Sequence, residues 1–236
     1  MRIAWLRGRR RWWSAAVVVG LFGSLLVSAC ASPPAGASPA AVSPPQAAVA
    51  SKYVILTFDD GPSQYTPQVL ALLRQYGVKA TFFELGQNVA RYPAITHRVR
   101  AAGHSVQNHS WSHPDLRYVS WTKFRSEVLD TDRVIRAQTG ITPHCLRPPY
   151  GGANALTYRR AASLGKKLRL WTVDPEDWSR PGTSTIVRRV LSKVHNGSVI
   201  LLHDGGGNRS QTVAALPTIL RTLKSRGYTF YTTTCT

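Results

Sequence analysis

From Tyr53 to the C terminus, short apolar runs alternate with longer amphipathic stretches, and glycine or proline marks nearly every change between them. Residues 53–58, 80–85, 105–108, 168–173, 198–202 and 228–231 read as strands, with 145–146 as a shorter one. Helices fill the intervals. Thr66 as N-cap, with Pro67 at the first helical position, opens a helix over 68–76 that Gly77 stops. Pro93 starts a second, which ends before Gly103. Ser120 caps a long one running to Gly140, and 154–164, 184–194 and 212–226 complete the set. Seven strand–helix units of this length predict an α/β fold with a parallel sheet. Periodicity leaves open whether that sheet is closed as a barrel or open and doubly wound.

The first thirty residues stand outside this pattern. Arg2, Arg7, Arg9, Arg10 and Arg11 form a basic segment, residues 15–27 an apolar run too short for a comfortable membrane span, and Val27-Ser28-Ala29 lead small residues into Cys30. This is the order of a secretory signal. It resembles the lipobox of bacterial lipoproteins, which implies that Cys30 becomes the lipidated first residue of an exported, membrane-anchored chain. A plain signal cleaved nearby, giving a secreted chain, is the other reading. Paired arginines before Trp12-Trp13 also resemble a twin-arginine signal, although any arginine-rich segment produces such pairs. Residues 31–51 are almost entirely Ala, Pro, Ser, Gly and Val, too little side chain to bury, and read as an extended tether. The expected domain is then 52–236.

The chain holds 30 Lys and Arg against 11 Asp and Glu. Without the five arginines of the leading segment it still carries about +14, which favours anionic surroundings such as wall polymers or lipid headgroups. Nucleic acid is the other partner of a basic chain, but an exported protein rarely meets it and no recognition motif for it is present. Cys145 and Cys235 remain once Cys30 is set aside, an even count in a compartment where disulfides persist, and they are a candidate pair.

Polar residues gather just past the expected strand ends, where α/β folds build their sites. In Thr57-Phe58-Asp59-Asp60-Gly61-Pro62, two adjacent carboxylates end an apolar strand, which is costly unless something positive neutralises them. Neighbours on a strand point to opposite faces, so the two suit different tasks, one binding a metal and one moving a proton. An Asp-Gly turn would explain Asp60 but not Asp59. His109 and His113, four apart, lie on one face if the segment is a helical turn and can share a metal; the Asp pair supplies the third ligand. Arg147-Pro148-Pro149-Tyr150-Gly151-Gly152 fixes an unusual backbone path that can aim an N–H into a pocket, or is simply a rigid surface turn. Asp174-Pro175-Glu176-Asp177-Trp178 follows a strand with acids, as a helix start also would, and adds an aromatic suited to stacking on a sugar. Leu201-Leu202-His203-Asp204-Gly205 closes a hydrophobic strand on a histidine.

These five clusters, in this order and spacing, resemble the polysaccharide deacetylase family, also called carbohydrate esterase family 4 or the NodB homology domain, over residues 52–233. The resemblance implies a distorted (β/α) barrel, often one unit short of eight, in agreement with the seven units counted. It implies a divalent metal, usually zinc, on Asp60, His109 and His113. Asp59 would be the general base and His203 the general acid, with Arg147 positioning Asp59 and Asp177 holding His203 protonated. The backbone N–H of Tyr150 would complete an oxyanion site, and Trp178 and Leu201 would wall an acetyl pocket. The expected reaction is removal of acetyl from N-acetylglucosamine units of a polysaccharide, with cell-wall peptidoglycan favoured for a tethered basic domain, and chitin oligosaccharides or acetylxylan as alternatives. The chain is expected to act as a monomer.

One departure from the family stands out. Glu84 occupies a position that is apolar in many members, where it would narrow or charge the pocket's edge or face solvent. Two other classes compete. A non-catalytic carbohydrate-binding lipoprotein would have no use for Asp59 and His203, and both are present. A two-histidine, one-carboxylate iron oxygenase leaves Asp59, Arg147 and His203 without a task.

Overall fold

The computed structural model describes residues 52–233 and Cys235; the expected signal with Cys30 and the expected tether lie outside the described residues. Among the described residues no helix is long and apolar enough to cross a membrane. The first apolar run forms β1 (Tyr53–Gly61), which continues past the expected end and carries both aspartates at its carboxyl terminus. It lies inside the sheet, with a neighbour on each edge and helices packed over it. β6 (Ser198–His203) pairs along one side, while β2 (Thr81–Glu84) and β7 (Thr229–Tyr231) share the other. Beyond β2 come β3 (Ser105–Asn108), β4 (Cys145–Leu146) and β5 (Lys167–Leu168), and every pairing is parallel.

The stretch 168–173, expected as one strand, instead divides. Leu168 pairs with β4, whereas Val173 bridges to Ile200 of β6, and the residues between turn from one neighbour to the other. That turn joins the two ends of the strand order. The fold is therefore a distorted (β/α) barrel of seven parallel strands, as the resemblance implied.

Among the described residues seven α-helices return the chain between strands: α1 (Thr66–Gln75), α2 (Gly86–Arg91), α3 (Pro93–Ala101), α4 (Trp121–Thr139), α5 (Ala155–Ser163), α6 (Thr183–Lys193) and α7 (Ser210–Ser225). The expected stops and caps act locally at α4, where Ser120 accepts the Lys123 N–H and Gly140 takes a left-handed φ of 73°. At α5, Asn154 and Thr157 form a reciprocal capping box. Thr66 differs. It is the first helical residue rather than the cap, and its hydroxyl donates to Asp204 Oδ2. Sequence reading missed α2, a short helix without a side-chain cap. The helices lay apolar faces against a core built on Leu56, Phe58, Phe82 and Ile200, in which the rings of Phe58 and Phe82 stack at 5.1 Å.

At the amino ends of the strands, the C-terminal residues lie across the sheet. Thr233 donates its N–H to Thr81 Oγ1 at 2.9 Å and accepts from Ser105 Oγ at 2.8 Å, and Cys235 is joined to Cys145 across a sequence separation of 90. Closing a loop of that size removes unfolded-state entropy worth about 3–5 kcal/mol. Cys235→Ser should therefore lower unfolding stability in guanidinium by about that much, and the unfolded parent should titrate without free thiols at these two positions. Equal denaturation midpoints for parent and variant would refute the assignment of a stabilising bond.

Candidate active site

Register alone brings the rim together. Asp59 at the end of β1 has His203 of β6 as its partner on one side and Phe83 of β2 on the other, while Asn108 and Leu146 pair one residue before His109 and Arg147. A cavity of about 380 Å³ opens over these carboxyl ends, lined by Asp59, Asp60, His109, His113, Tyr150, Trp171, Asp174, Trp178, Leu201 and His203.

Strand alternation would send Asp59 and Asp60 to opposite faces. Both line the same cavity, because Asp60 adopts a left-handed φ of 69° and the β1–β2 register shifts between Asp59 and Gly61. Two contacts hold that turn. Asn88 Nδ2 donates to the Asp60 carbonyl at 2.8 Å, and the loop after β6 lies so close that a Cβ on Gly205 would sit 1.9 Å from the same oxygen.

The histidines are also placed differently from expectation. Residues 109–113 form an irregular loop rather than a helical turn, with Ser110 and His113 at φ 69° and 62°. Glu127 of α4 shapes the loop by accepting the N–H groups of Trp111 and Ser112 and the Ser112 hydroxyl at 2.7–2.8 Å. His109 Nδ1 must donate to the Arg147 carbonyl at 2.7 Å, since a carbonyl only accepts. Its Nε2 then faces Asp60 Oδ1 at 3.4 Å, and His113 Nε2 faces the same oxygen at 3.4 Å.

That oxygen decides whether the residues fit a metal. Asp60 Oδ1 is buried and accepts no hydrogen bond, and it converges with two imidazole nitrogens, all within 4.8 Å of one another. Two imidazoles and a carboxylate are a donor set suited to zinc or a similar divalent ion, with positions left open for other ligands. Burial would raise the Asp60 carboxyl, but His109 and the other nearby imidazoles hold it well below the usual carboxylate range.

Asp59 is held by a different partner. Arg147 Nη1 donates to Asp59 Oδ1 at 2.7 Å and to Thr57 Oγ1 at 2.8 Å, leaving Asp59 Oδ2 facing the cavity side, 3.7 Å from His109 Nε2. Across the cavity, His203 Nδ1 meets Asp177 Oδ1 at 2.7 Å, and Asp177 Oδ2 accepts the His203 N–H and the Thr212 hydroxyl. Burial alone would lower the His203 imidazole. The Asp177 carboxylate, aided by Asp59 and Asp60, outweighs it and pushes the value up to about 9. Tyr150 sits at φ 60° with its ring edge-on to His113 at 4.6 Å.

A family model described as polysaccharide deacetylase matches residues 46–168. A peptidoglycan-N-acetylglucosamine deacetylase of Bacillus cereus is 42% identical over 184 residues, which span 77% of this chain and 86% of the relative. The chain belongs to the polysaccharide deacetylase family. A chitooligosaccharide deacetylase of Bradyrhizobium is 40% identical, covering 75% of this chain and 87% of the relative. A solved peptidoglycan N-acetylglucosamine deacetylase superposes with a TM-score of 0.74 at 38% identity, covering 76% of this chain and 85% of that one.

Within this family member, sequence reading did not single out Trp171, Asn88 or Glu127. Trp171 was hidden inside the expected strand 168–173, yet it lines the cavity and packs so closely that a Cβ on Gly151 would lie 2.9 Å from its ring. Glu84 neither borders the pocket nor faces solvent. It is fully buried at the end of β2 and accepts the Thr96 hydroxyl at 2.6 Å, while its Oε1 has no partner. Burial raises its carboxyl to about 8, with the Thr96 bond opposing and Asp204 adding to the shift. A raised carboxyl binds a proton in the folded state that the unfolded chain has lost, so stability falls as pH rises between about 5 and 8. Glu84→Gln should flatten that decline by on the order of 2–4 kcal/mol. Urea denaturation of both proteins at pH 5 and pH 8 checks this, and parallel pH dependences would show that Glu84 is not the group responsible.

Proposed function

We propose that this chain is a metal-dependent hydrolase that removes acetyl groups from N-acetylglucosamine units of peptidoglycan. The observation that carries the metal is Asp60 Oδ1, buried without a hydrogen-bond donor between two imidazole nitrogens. Peptidoglycan is supported by the relatives that share about 40% of residues over most of the chain and by the strongly basic composition. Chitin oligosaccharides are the second reading, supported by the chitooligosaccharide deacetylases of similar identity.

In this reading Asp60, His109 and His113 hold a divalent ion, most simply zinc. When bound, it supplies a Lewis-acid pole for the acetyl carbonyl oxygen and acidifies water. Asp59 takes a proton from the attacking water at Oδ2, because Oδ1 is occupied by Arg147. The N–H of Tyr150 donates to the oxygen on which charge develops. His203, protonated at neutral pH and held through Nδ1 by Asp177, gives the proton on Nε2 to the departing amine. Leu201, buried in the cavity wall, and Trp178, 54% exposed at its mouth, bound the space for the acetyl group and the sugar. Asp59 and His203 are thus held by separate partners, Arg147 and Asp177, which lets one site do both tasks.

We further propose that Cys30 carries lipid. Cys30→Ser should move the full-length protein from the membrane fraction to the medium when the cells are fractionated, and an unchanged membrane fraction would defeat the proposal.

The catalytic assignment separates variants by metal content and turnover. His109→Ala should lose both metal and activity. Asp59→Asn should stay metal-loaded and lose roughly 10²–10⁴-fold in turnover, the range of a general base. His203→Ala should lose as much on an acetylated glycan but recover in part on an activated ester, whose leaving group needs little protonation. Elemental analysis beside steady-state rates on peptidoglycan fragments, chitin oligosaccharides and acetylxylan makes the measurement. A metal-loaded Asp59→Asn protein with near-parental turnover would overturn the mechanism, and a clear preference for acetylxylan would overturn the substrate alone.

A further inference from the structure

Charge is unevenly divided between the two ends of the barrel. All 11 Asp and Glu residues lie at the carboxyl ends of strands, in the loops that follow them, or on α4. The opposite end, where β1, β2, β6 and β7 begin, has none. Because the sheet is parallel, every helix that precedes a strand finishes there, so the last turns of α1, α3, α6 and α7 deliver Arg74, Arg98, Arg100, Lys193 and Lys224 to that end. Lys52, Lys79 and Arg226 add to them from the intervening segments, and all eight are exposed.

A structural explanation accounts for part of this. Cations in a last turn interact favourably with the helix dipole. It does not account for Lys52 or Lys79, which lie outside helices, or for the lack of any carboxylate among them. None of the eight forms an ion pair among the described residues. Lys79, Lys224 and Arg226 donate instead to the carbonyls of Ala102, Tyr76 and Leu191. Uncompensated like charge costs self-repulsion, which an anionic partner relieves.

Two further features bear on the partner's kind. Arg74, Lys79 and Arg98 border a hollow between α1 and α3 whose other walls include Leu70, Ala71 and Val78. Tyr53 and Ile141, 39% and 45% exposed, stand at this same end. Cations beside exposed aromatic and aliphatic groups match a headgroup layer over acyl chains better than a fully hydrated polyanion. The chain also enters the domain here, at Lys52.

We propose that the amino-end face of the barrel docks on an anionic phospholipid surface, turning the catalytic cavity at the opposite end away from the bilayer. The occupant is the membrane itself, and the docking is electrostatic, with Tyr53 and Ile141 reaching into the interface. It would orient the domain without taking part in the reaction.

The test uses the full-length chain in every arm. Binding to vesicles of phosphatidylglycerol mixed with phosphatidylcholine is compared with binding to phosphatidylcholine alone, so that any contribution of residues 1–51 is common to both. Each Lys or Arg at an anionic surface contributes about a fivefold gain. The triple variant Arg74→Gln, Lys79→Gln, Arg98→Gln should therefore lose roughly a hundredfold of the anionic preference. A control of equal charge, Arg125→Gln, Arg159→Gln, Arg188→Gln, alters exposed helix positions away from this face and should keep most of it. Both variants should deacetylate a soluble glycan oligomer at the parental rate, which distinguishes failure here from failure of the proposed reaction. Equal losses in the two triple variants would mean that net charge alone acts, and would overturn the proposal. So would unchanged vesicle binding by the first variant together with lost binding to poly(glycerol phosphate), which would make a wall polymer the occupant.

Discussion

The guanidinium of Arg147 is the interaction on which the rest of the site depends. It is wholly buried, and a buried cation without partners costs several kcal/mol. Its donors are distributed to Asp59 Oδ1, Thr57 Oγ1 and the carbonyls of Arg169 and Leu170, and its face lies 4.0 Å from the ring centre of Phe83. The two carbonyls belong to the turn that carries the chain from β4's neighbour to β6. Arg147 thus satisfies the backbone groups which that turn removes from sheet pairing, and so takes part in closing the barrel. Its own carbonyl fixes the tautomer of His109. One residue links fold closure, the oxygen of Asp59 that remains free, and the nitrogen of the first histidine that faces Asp60. Lysine would keep the charge but not the planar fork that meets four acceptors at once.

A second constraint is backbone conformation at the rim. Asp60, Ser110, His113 and Tyr150 all have positive φ, and none is glycine. Such residues persist only where the surroundings over-determine them, each costing of order 1–3 kcal/mol. Here the surroundings are identifiable. Asn88 and the close approach of Gly205 hold Asp60, Glu127 holds the loop between the histidines, and the prolines before Tyr150 restrict its approach. The reward is geometric. A regular strand does not present two successive side chains to one cavity. Leaving regular structure lets Asp59, Asp60, His109 and His113 converge.

This explains which parts were legible in the sequence. The five clusters and most strands could be read because short apolar runs ending in polar residues are a local signal, and parallel register then aligns those ends automatically. Ser120 and Gly140 were legible for the same reason, since a cap acts within one turn. The division of residues 168–173 was not, because the group that decides it, Arg147, lies more than twenty positions away. A spacing of four between histidines fits both a helical turn and this loop, and the carboxylate that selects the loop, Glu127, is on α4. Glu84 could not be placed because β2 is buried on both faces, where alternation carries no information about direction.

The same division between rigid rim and outer surface orders the chemistry. Three of the rim side chains are fixed by a partner behind them: Asp59 by Arg147, His109 by the Arg147 carbonyl, and His203 by Asp177, which Thr212 holds in turn. Arg147 lies behind the Asp59 carboxylate and Asp177 behind the His203 imidazole, so the two side chains are held by independent pairs of opposite polarity. The parts that reach outward are aromatic, with Tyr150 70% exposed and Trp178 54% exposed on a 3-10 turn between the left-handed Glu176 and Arg180. Parallel register sets Asp59 beside His203, and the departures from regular structure bring Asp60, His109 and His113 to them. The mouth of the cavity, by contrast, is shaped by the aromatic rings of Tyr150, Trp171 and Trp178.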